Sequence, residues 1–273
     1  MKTLFILELF LKTMHLIQDV TLSHDHLPPV NSTVAQPGEE KCESEGERAL
    51  EKFRFNLERK DWALGRDYGE EGITVKSTYD QETMTYLIFT EALLDFESDW
   101  VIRDLREHVL VATADWNPDV KEFKIVQRLT ELCWIVYQEM ESKLLGLFAS
   151  RDMVILSHGR QEQDAYFVSL SSTEWPGLEP RETRVRAEMH PGSGMSLLPD
   201  PERKTTRTLM RWVMTTDLKT PLVPRNIMLK FSVEACRQYV LGLRKYLSSR
   251  SRGPEGPHPR KPTYFRSEAL FLR

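Results

Sequence analysis

Few side chains in this sequence stand where they could do chemistry. The segment 24–26, His-Asp-His, offers metal ligands, but it is isolated in a proline-flanked stretch, and we expect no metal site there. Cys133 would be a nucleophile if His108 or His158 lay beside it, yet a cysteine inside an apolar strand is usually an inert core residue. The segment 190–194, His-Pro-Gly-Ser-Gly, is typical of a turn between strands.

The motifs of common enzyme classes do not occur. The sequence has no Gly-x-Ser-x-Gly, no phosphate loop ending in Gly-Lys-Ser/Thr and no Gly-x-Gly-x-x-Gly. A strand-rich sequence without such signatures favours binding over catalysis, so we expect a non-enzymatic protein without a cofactor.

Composition narrows the class of protein further. The 273 residues are 40% hydrophobic and 29% charged, with a net charge of -4, which is typical of a soluble globular protein. The mild acidity argues against a dedicated nucleic-acid binder. Cys42, Cys133 and Cys236 lie far apart and are odd in number, so we expect no disulfide framework and a reducing compartment such as the cytoplasm.

The two ends of the sequence differ in composition from its middle. Residues 1–17 are apolar but contain Glu8 and Lys12, and they are shorter than a membrane span. They are interpreted as an uncleaved, membrane-leaning or artefactual leader, with a signal peptide as the alternative. Together with the acidic linker that follows, they make up residues 1–45. A domain is predicted over residues 46–248, and a basic, proline-rich, disordered tail over 249–273.

The middle combines helices with many short strands. Helical spacing of apolar residues predicts helices over roughly 45–62, 98–113 and 224–247. The last helix carries an apolar seam at steps of 4, 3, 4, 3 and 4, which should lie on a sheet. The seam consists of Leu229, Val233, Cys236, Val240, Leu243 and Leu247. Extended segments with short connections run between residues 73 and 217 and predict antiparallel pairing.

Several stretches in this order resemble a known family. They are 115–128 (Asp-Trp-Asn-Pro-Asp-Val-Lys-Glu-Phe-Lys-Ile-Val-Gln-Arg), 150–154 (Ser-Arg-Asp-Met-Val), 185–188 (Val-Arg-Ala-Glu), 216–219 (Thr-Asp-Leu-Lys) and 224–227 (Pro-Arg-Asn-Ile). Over residues 46 to 248 the chain resembles the START lipid-transfer domain, in its steroidogenic acute regulatory protein branch. Together the stretches are specific, although each alone is modest.

The resemblance implies an α+β helix-grip fold, in which a curved antiparallel sheet surrounds a long C-terminal helix and encloses a lipid cavity. It also implies transfer of a sterol such as cholesterol between membranes without a chemical step. In that branch an acidic residue and an arginine pair inside the cavity, and here the matching positions are Gln138 and Ser157. Losing both charges leaves two groups that can hydrogen-bond a hydroxyl. The segment 218–224 also departs from the family pattern, so gating is expected to differ.

Strand parity and the helical seam give the predicted lipid-binding residues, although plain core packing would explain each of them equally well. From the strands they are Trp134, Val136, Gln138, Met153, Ile155, Ser157, Trp212 and Met214, and from the last helix Val233, Cys236, Val240 and Leu243. Arg151 and Asp152 are expected to hold strand ends, and Trp116 to anchor the core.

Other functions remain open on the sequence. The fold could carry a phospholipid or a fatty acyl lipid instead, in which case Arg211 would turn inward to meet a head group. It could also be a ligand-free interaction module, or regulate a thioesterase partner. We expect a monomer that touches membranes transiently, is peripheral to mitochondrial or endosomal surfaces and binds no nucleic acid.

Overall fold

The structure is a computed structural model that describes residues 37–109, 112–142, 149–221 and 223–252. The leader 1–17, the segment 24–26 and the tail from residue 253 lie outside the described residues. Among those described, no helix is both long and apolar enough to cross a membrane.

Strands form most of the molecule. They are β1 (Ala63–Tyr68), β2 (Ile73–Asp80), β3 (Thr85–Leu94), β4 (Val120–Arg128), β5 (Cys133–Met140), β6 (Arg151–Glu162), β7 (Ala165–Ser172), β8 (Val185–Arg186), β9 (Glu188–Met189), β10 (Ser193–Pro199), β11 (Thr208–Met214) and β12 (Thr216–Asp217). A large curved sheet runs in the order β1-β2-β3-β11-β10-β7-β6-β5-β4, with β8 beside β6. Its ladders in the described chain are antiparallel except for β6 with β8, and β9 pairs with β12 separately. The antiparallel α+β prediction is confirmed.

The α-helices described are α1 (Pro37–Glu58), α2 (Ser98–Asp104), α3 (Thr113–Trp116) and α4 (Arg225–Ser251). Helix α1 begins earlier than the sequence pattern predicted, with a proline at its first position, where the missing N–H costs no hydrogen bond. The helix predicted over 98–113 is interrupted, because a π-helical turn, Leu105–Val109, follows α2 and shifts the helical register.

Helix α1 covers one face of the sheet, which we call the outer face. Its Leu50 and Phe53 are buried against Leu87, Phe89 and Val213. Phe53 packs so closely on β10 that a Cβ at Gly194 would lie 2.8 Å from its ring and 2.4 Å from a strand carbonyl. The absence of a side chain at position 194 therefore lets α1 pack directly on the sheet.

Helix α4 covers the other face, which we call the inner face. Its residues Val233, Cys236, Val240, Leu243 and Leu247 are buried. They belong to one apolar cluster, which we call the helix cluster, together with residues of β2, β3, β10 and β11. The spacing of apolar residues in the sequence thus predicted which side of this helix is buried.

The two edge strands of the large sheet are irregular. The ladder of β1 with β2 shifts register between Leu64 and Arg66. The ladder of β4 with β5 shifts twice, between Val120 and Glu122 and between Ile125 and Gln127. Such bulges interrupt the row of hydrogen-bonding groups at a sheet edge.

Candidate functional site

Strands β5 and β6 place six predicted residues on the inner face. Directly opposed residues of an antiparallel pair share a face of the sheet. The pairing of β5 with β6 therefore tests whether the six residues lie on one face, as the alternation in the sequence predicted. The opposed pairs are Trp134 with Ser157, Val136 with Ile155, and Gln138 with Met153. The structure brings these six side chains to one surface, and contact with a ligand stays a prediction.

The apolar members of this group form a second cluster, which we call the strand cluster. It contains Trp134, Val136, Met153 and Ile155, together with Ala187 and Met189 from the segment of β8 and β9. Trp134 donates its Nε1 proton to the Glu131 carbonyl, 3.1 Å away. The indole therefore has a structural partner and presents its ring to the cluster.

Gln138 and Ser157 are the polar members of the same surface. Ser157 is buried and Gln138 is partly buried, and neither side chain makes a hydrogen bond with any residue that the structure describes. Trp134, the residue opposite Ser157, precedes Gln138 by four positions, which separates the two polar groups by about 13 Å along the strands. They are therefore two separate polar positions rather than a neighbouring pair.

The predicted residues of α4 lie in the helix cluster. Val233, Cys236, Val240 and Leu243 pack on Ile73, Val75, Ile88 and Met210 of the inner face. Burial raises the pKa of the Cys236 thiol to about 12, so the sulfur is a neutral apolar group at physiological pH. These four positions are core residues in this structure, and lipid contact at them stays a prediction.

Trp212 and Met214 of β11 also belong to the inner face and pack, partly buried, on the helix cluster. The Trp212 ring lies 4.7 Å from that of Tyr239 on α4, and Tyr239 in turn lies 5.2 Å from Trp116. Tyr239 was missed by sequence reasoning because it stands one position away from the apolar seam. Its spacing of three residues from Cys236 was the available signal.

The helix cluster and the strand cluster are separate groups of buried residues on one face. Leu170 of β7, which is partly buried, packs against both of them. Leu170 is directly opposite Ser157 in the ladder of β6 with β7. The predicted site residues therefore lie on two sides of Leu170 instead of forming one packed group.

The segment before α4 packs against the strand cluster. Leu218 packs on that cluster, and its carbonyl accepts a hydrogen bond from Arg151 Nε at 3.1 Å. Lys219 follows with a positive φ of 50° and pairs with Glu188 at 2.9 Å. Arg151 thus fastens the start of β6 to the segment that leads into the long helix.

The charged groups nearest to the site have partners of their own. Asp152 is buried and receives two hydrogen bonds from Arg186, at 2.8 and 3.1 Å. Arg211 shares the outer face with Val213 and pairs with Glu91 at 2.7 Å. The alternative in which Arg211 turns inward to hold a head group is therefore wrong for this structure.

Cys133 and His158 do come together, as one reading of the sequence required. They are opposite each other in the ladder of β5 with β6, on the outer face under α1. Cys133 has no exposed surface, and His158 Nε2 lies 2.8 Å from Glu47 of α1. A substrate therefore has no access to the sulfur. The contact between His158 and Glu47 instead joins α1 to the sheet. His108 lies elsewhere, 3.2 Å from Asp104.

Comparison with known proteins agrees with this architecture. The family model of the START domain matches residues 55–237, more than half of the chain. The mitochondrial steroidogenic acute regulatory protein of Salvelinus fontinalis is 26% identical over 165 residues, covering 60% of this chain and 56% of the relative. Its Homo sapiens counterpart is 24% identical over 166 residues, covering 58% and 54%. The chain thus spans about half the length of the curated relatives it matches.

Among solved structures, human StAR-related lipid transfer protein 5 is similar with a TM-score of 0.68 and 21% identity. The similarity covers 77% of this chain and 98% of that one. At this identity the likeness shows the fold, in which a large antiparallel sheet surrounds a C-terminal helix. Together with the family match over residues 55–237, it establishes that this chain belongs to the START domain family.

Proposed function

We propose that this chain carries one sterol between membranes, held on the inner face between the helix cluster and the strand cluster. The observation that carries the proposal is the division of the buried inner-face residues into two clusters that meet at Leu170. A fully packed domain of this size usually has one contiguous core. A rigid apolar ligand lying between the clusters would join them into one.

The polar groups beside this region are neutral, which suits a ligand without charge. Gln138 and Ser157 lie at the strand cluster without hydrogen-bond partners among the described residues. An ionised head group would need a buried counter-charge, and Arg211 is turned to the outer face. A sterol buries roughly 400 Å² of apolar surface, which contributes about 10 kcal/mol before the entropic cost of binding.

Transport of this kind needs no reaction step. Cys133 has no exposed surface, and Cys236 is 1% exposed with its pKa raised to about 12 by burial. Neither thiol is accessible to a substrate. The proposal is therefore a non-enzymatic carrier.

Exchange of the ligand requires part of the cover to open. The C-terminal half of α4 is fastened by Arg244, which donates to the Leu93 carbonyl at 2.7 Å, and by Arg250, which pairs with Asp104 at 3.1 Å. In the first turn of α4, the one hydrogen bond to a strand among the described residues is the exposed bond from Arg225 to Tyr79. Further along the helix, Glu234 accepts from Tyr68 and Arg237 donates to Glu71. We propose that the first turn and the segment 218–221 loosen at a membrane surface. The cytoplasmic side of a mitochondrial or endosomal membrane is the proposed place.

Native mass spectrometry tests the ligand directly. The full chain is purified from cells fed an isotopically labelled sterol, and bound lipids are identified after release, with a known sterol carrier as the loading control. We expect one sterol per monomeric chain. Finding a phospholipid or a fatty acid in its place would contradict a sterol ligand but not the fold. An empty protein beside a loaded control would favour a ligand-free interaction module.

A further inference from the structure

Tyr239 occupies the flank of α4 that is turned toward the strand cluster. The buried seam of α4 packs on β2, β3 and Met210 of β11. The Tyr239 ring lies over Trp212 of β11, on the side of β3 that leads toward the strand cluster, with ring centroids 4.7 Å apart. Trp116 closes the other side of the ring at 5.2 Å. The two tryptophans fix the ring over the inner face.

Tyr239 is partly buried, and its hydroxyl has no hydrogen-bond partner in the part of the chain that the structure describes. Burial alone raises the pKa of this hydroxyl, since no charged group contributes. Tyr68 and Tyr137 differ, because Tyr68 donates to Glu234 at 3.2 Å and Tyr137 accepts from Arg184 at 2.7 Å. A tyrosine hydroxyl held between two tryptophan rings without a protein partner is available to bond a group that the protein itself does not supply.

A second polar group lies at the same place. Thr90 of β3 is directly opposite Trp212 in the ladder and is fully buried. Its Oγ1 has no oxygen or nitrogen partner among the described residues, and only the Cys236 thiol lies beside it. Cys236 and Tyr239 are three residues apart on one side of α4. Thr90 and Tyr239 therefore place two hydroxyls without an oxygen or nitrogen partner among the described residues on the helix side of the inner face.

We infer that Tyr239 binds the hydroxyl of the sterol, with the apolar ring system lying past Leu170 toward the strand cluster. The inference rests on the proposed function and adds an orientation to it. The polar end of the ligand lies at α4, next to Thr90, and not at Gln138 or Ser157. Tyr239 is then a specificity-determining residue that selects sterols with a free hydroxyl over those without one.

The test compares cholesterol with its 3-deoxy analogue, using competition against a fluorescent sterol on the full chain. The wild-type protein is expected to prefer cholesterol by about fivefold, the ratio typical of one hydrogen bond. Tyr239→Phe keeps both tryptophan contacts and is expected to bind the two sterols equally, with unchanged affinity for the 3-deoxy analogue. Tyr246→Phe is the matched control, because Tyr246 also packs on Trp116, at 6.0 Å, and should leave the preference intact.

Gln138→Leu separates the two possible orientations. If the inference holds, this variant keeps the preference for cholesterol. A preference that survives in Tyr239→Phe but disappears in Gln138→Leu would overturn the inference and leave the sterol carrier standing, as would a wild-type protein that binds both sterols equally. A folded wild-type protein that binds neither sterol would overturn the proposed function itself. Binding of the 3-deoxy analogue to each variant serves as the control for folding.

Discussion

At the scale of single residues, contacts on the inner face leave little room between neighbouring strands. Tyr166 of β7 is 4% exposed and points its hydroxyl at Gly159 of β6. A Cβ at position 159 would lie 2.5 Å from that hydroxyl oxygen. Burial raises the pKa of Tyr166 to about 12, so the group is a neutral phenol that cannot move to solvent without disturbing the sheet.

Gly159→Ala is therefore expected to destabilise the protein by about 1–3 kcal/mol, the usual range for an overpacked core. Urea unfolding at neutral pH measures the change. Gly69→Ala is the control, since a Cβ there meets nothing within 4 Å, and it should cost much less. In a Tyr166→Phe background the cost of Gly159→Ala should shrink. An equal cost in both backgrounds would mean that the Tyr166 hydroxyl is not the obstacle.

At the scale of elements, α4 is attached to the turn between β1 and β2. Arg237 forms two hydrogen bonds to the Glu71 carboxylate, one of them 2.6 Å long, and Arg244 donates to the Glu71 carbonyl at 2.6 Å. The hydrogen bonds from Arg237 hold the pKa of the Glu71 carboxyl below its usual 4.5. Ionised Glu71 thus helps to keep the helix on the sheet.

This attachment predicts a pH dependence of stability. A carboxyl whose pKa is lower in the folded state stabilises the protein above its unfolded pKa, near 4.5. That contribution is lost as the pH falls through the lowered value. Urea unfolding of wild type and Glu71→Gln at several pH values should show a difference that is constant above about pH 5 and shrinks toward pH 3. Glu70→Gln is the control at a neighbouring exposed position. A difference independent of pH would contradict the role given to Glu71.

The helices and strands also show which parts of the fold could be predicted from the sequence. The seam of α4 was predictable because helical periodicity reports burial directly, and the alternation in β5 and β6 reported which residues share a face. Residues 183–190 lie within the extended segments that the sequence predicted, but they contain two short strands, because β8 pairs with β6 and β9 pairs with β12. Those partners are distant in sequence, and no local pattern specifies them.

Tyr239 and Arg211 were harder to predict for related reasons. Periodicity predicts which side of a helix is buried, but Tyr239 is positioned by ring contacts with two tryptophans that are distant in sequence. Arg211 stands in a strand whose two faces are both largely covered, so its face depended on the register with β3 and on Glu91. Side chains that matter to the candidate site are thus defined by tertiary pairing rather than by spacing.

At the scale of the whole molecule, the sheet supports two layers on opposite faces. Helix α1 and the segment around Trp175 and Leu178 cover the outer face, while the inner face holds two apolar clusters with Leu170 between them. The outer face therefore supplies stability whether or not the inner face is occupied. This division predicts that the proposed ligand site can be altered without unfolding the protein.

Leu170→Trp tests that division. The larger side chain is expected to take the place proposed for the ligand and to lower sterol loading by about tenfold or more, with the thermal midpoint changed by only a few degrees. Native mass spectrometry and thermal unfolding measure the two effects. Phe55→Trp adds a similar ring at a position that is 66% exposed and should load normally. Normal loading of Leu170→Trp would place the ligand somewhere else.

The irregular edges of the large sheet have a consequence for crowded conditions. Both outermost ladders contain register shifts, and β4 also carries Lys121, Glu122, Lys124 and Arg128 along its length. A neighbouring copy would need a flat, regular edge to add its own strand, and these edges do not offer one. Chains at high local concentration are thereby protected from growing into a shared fibre.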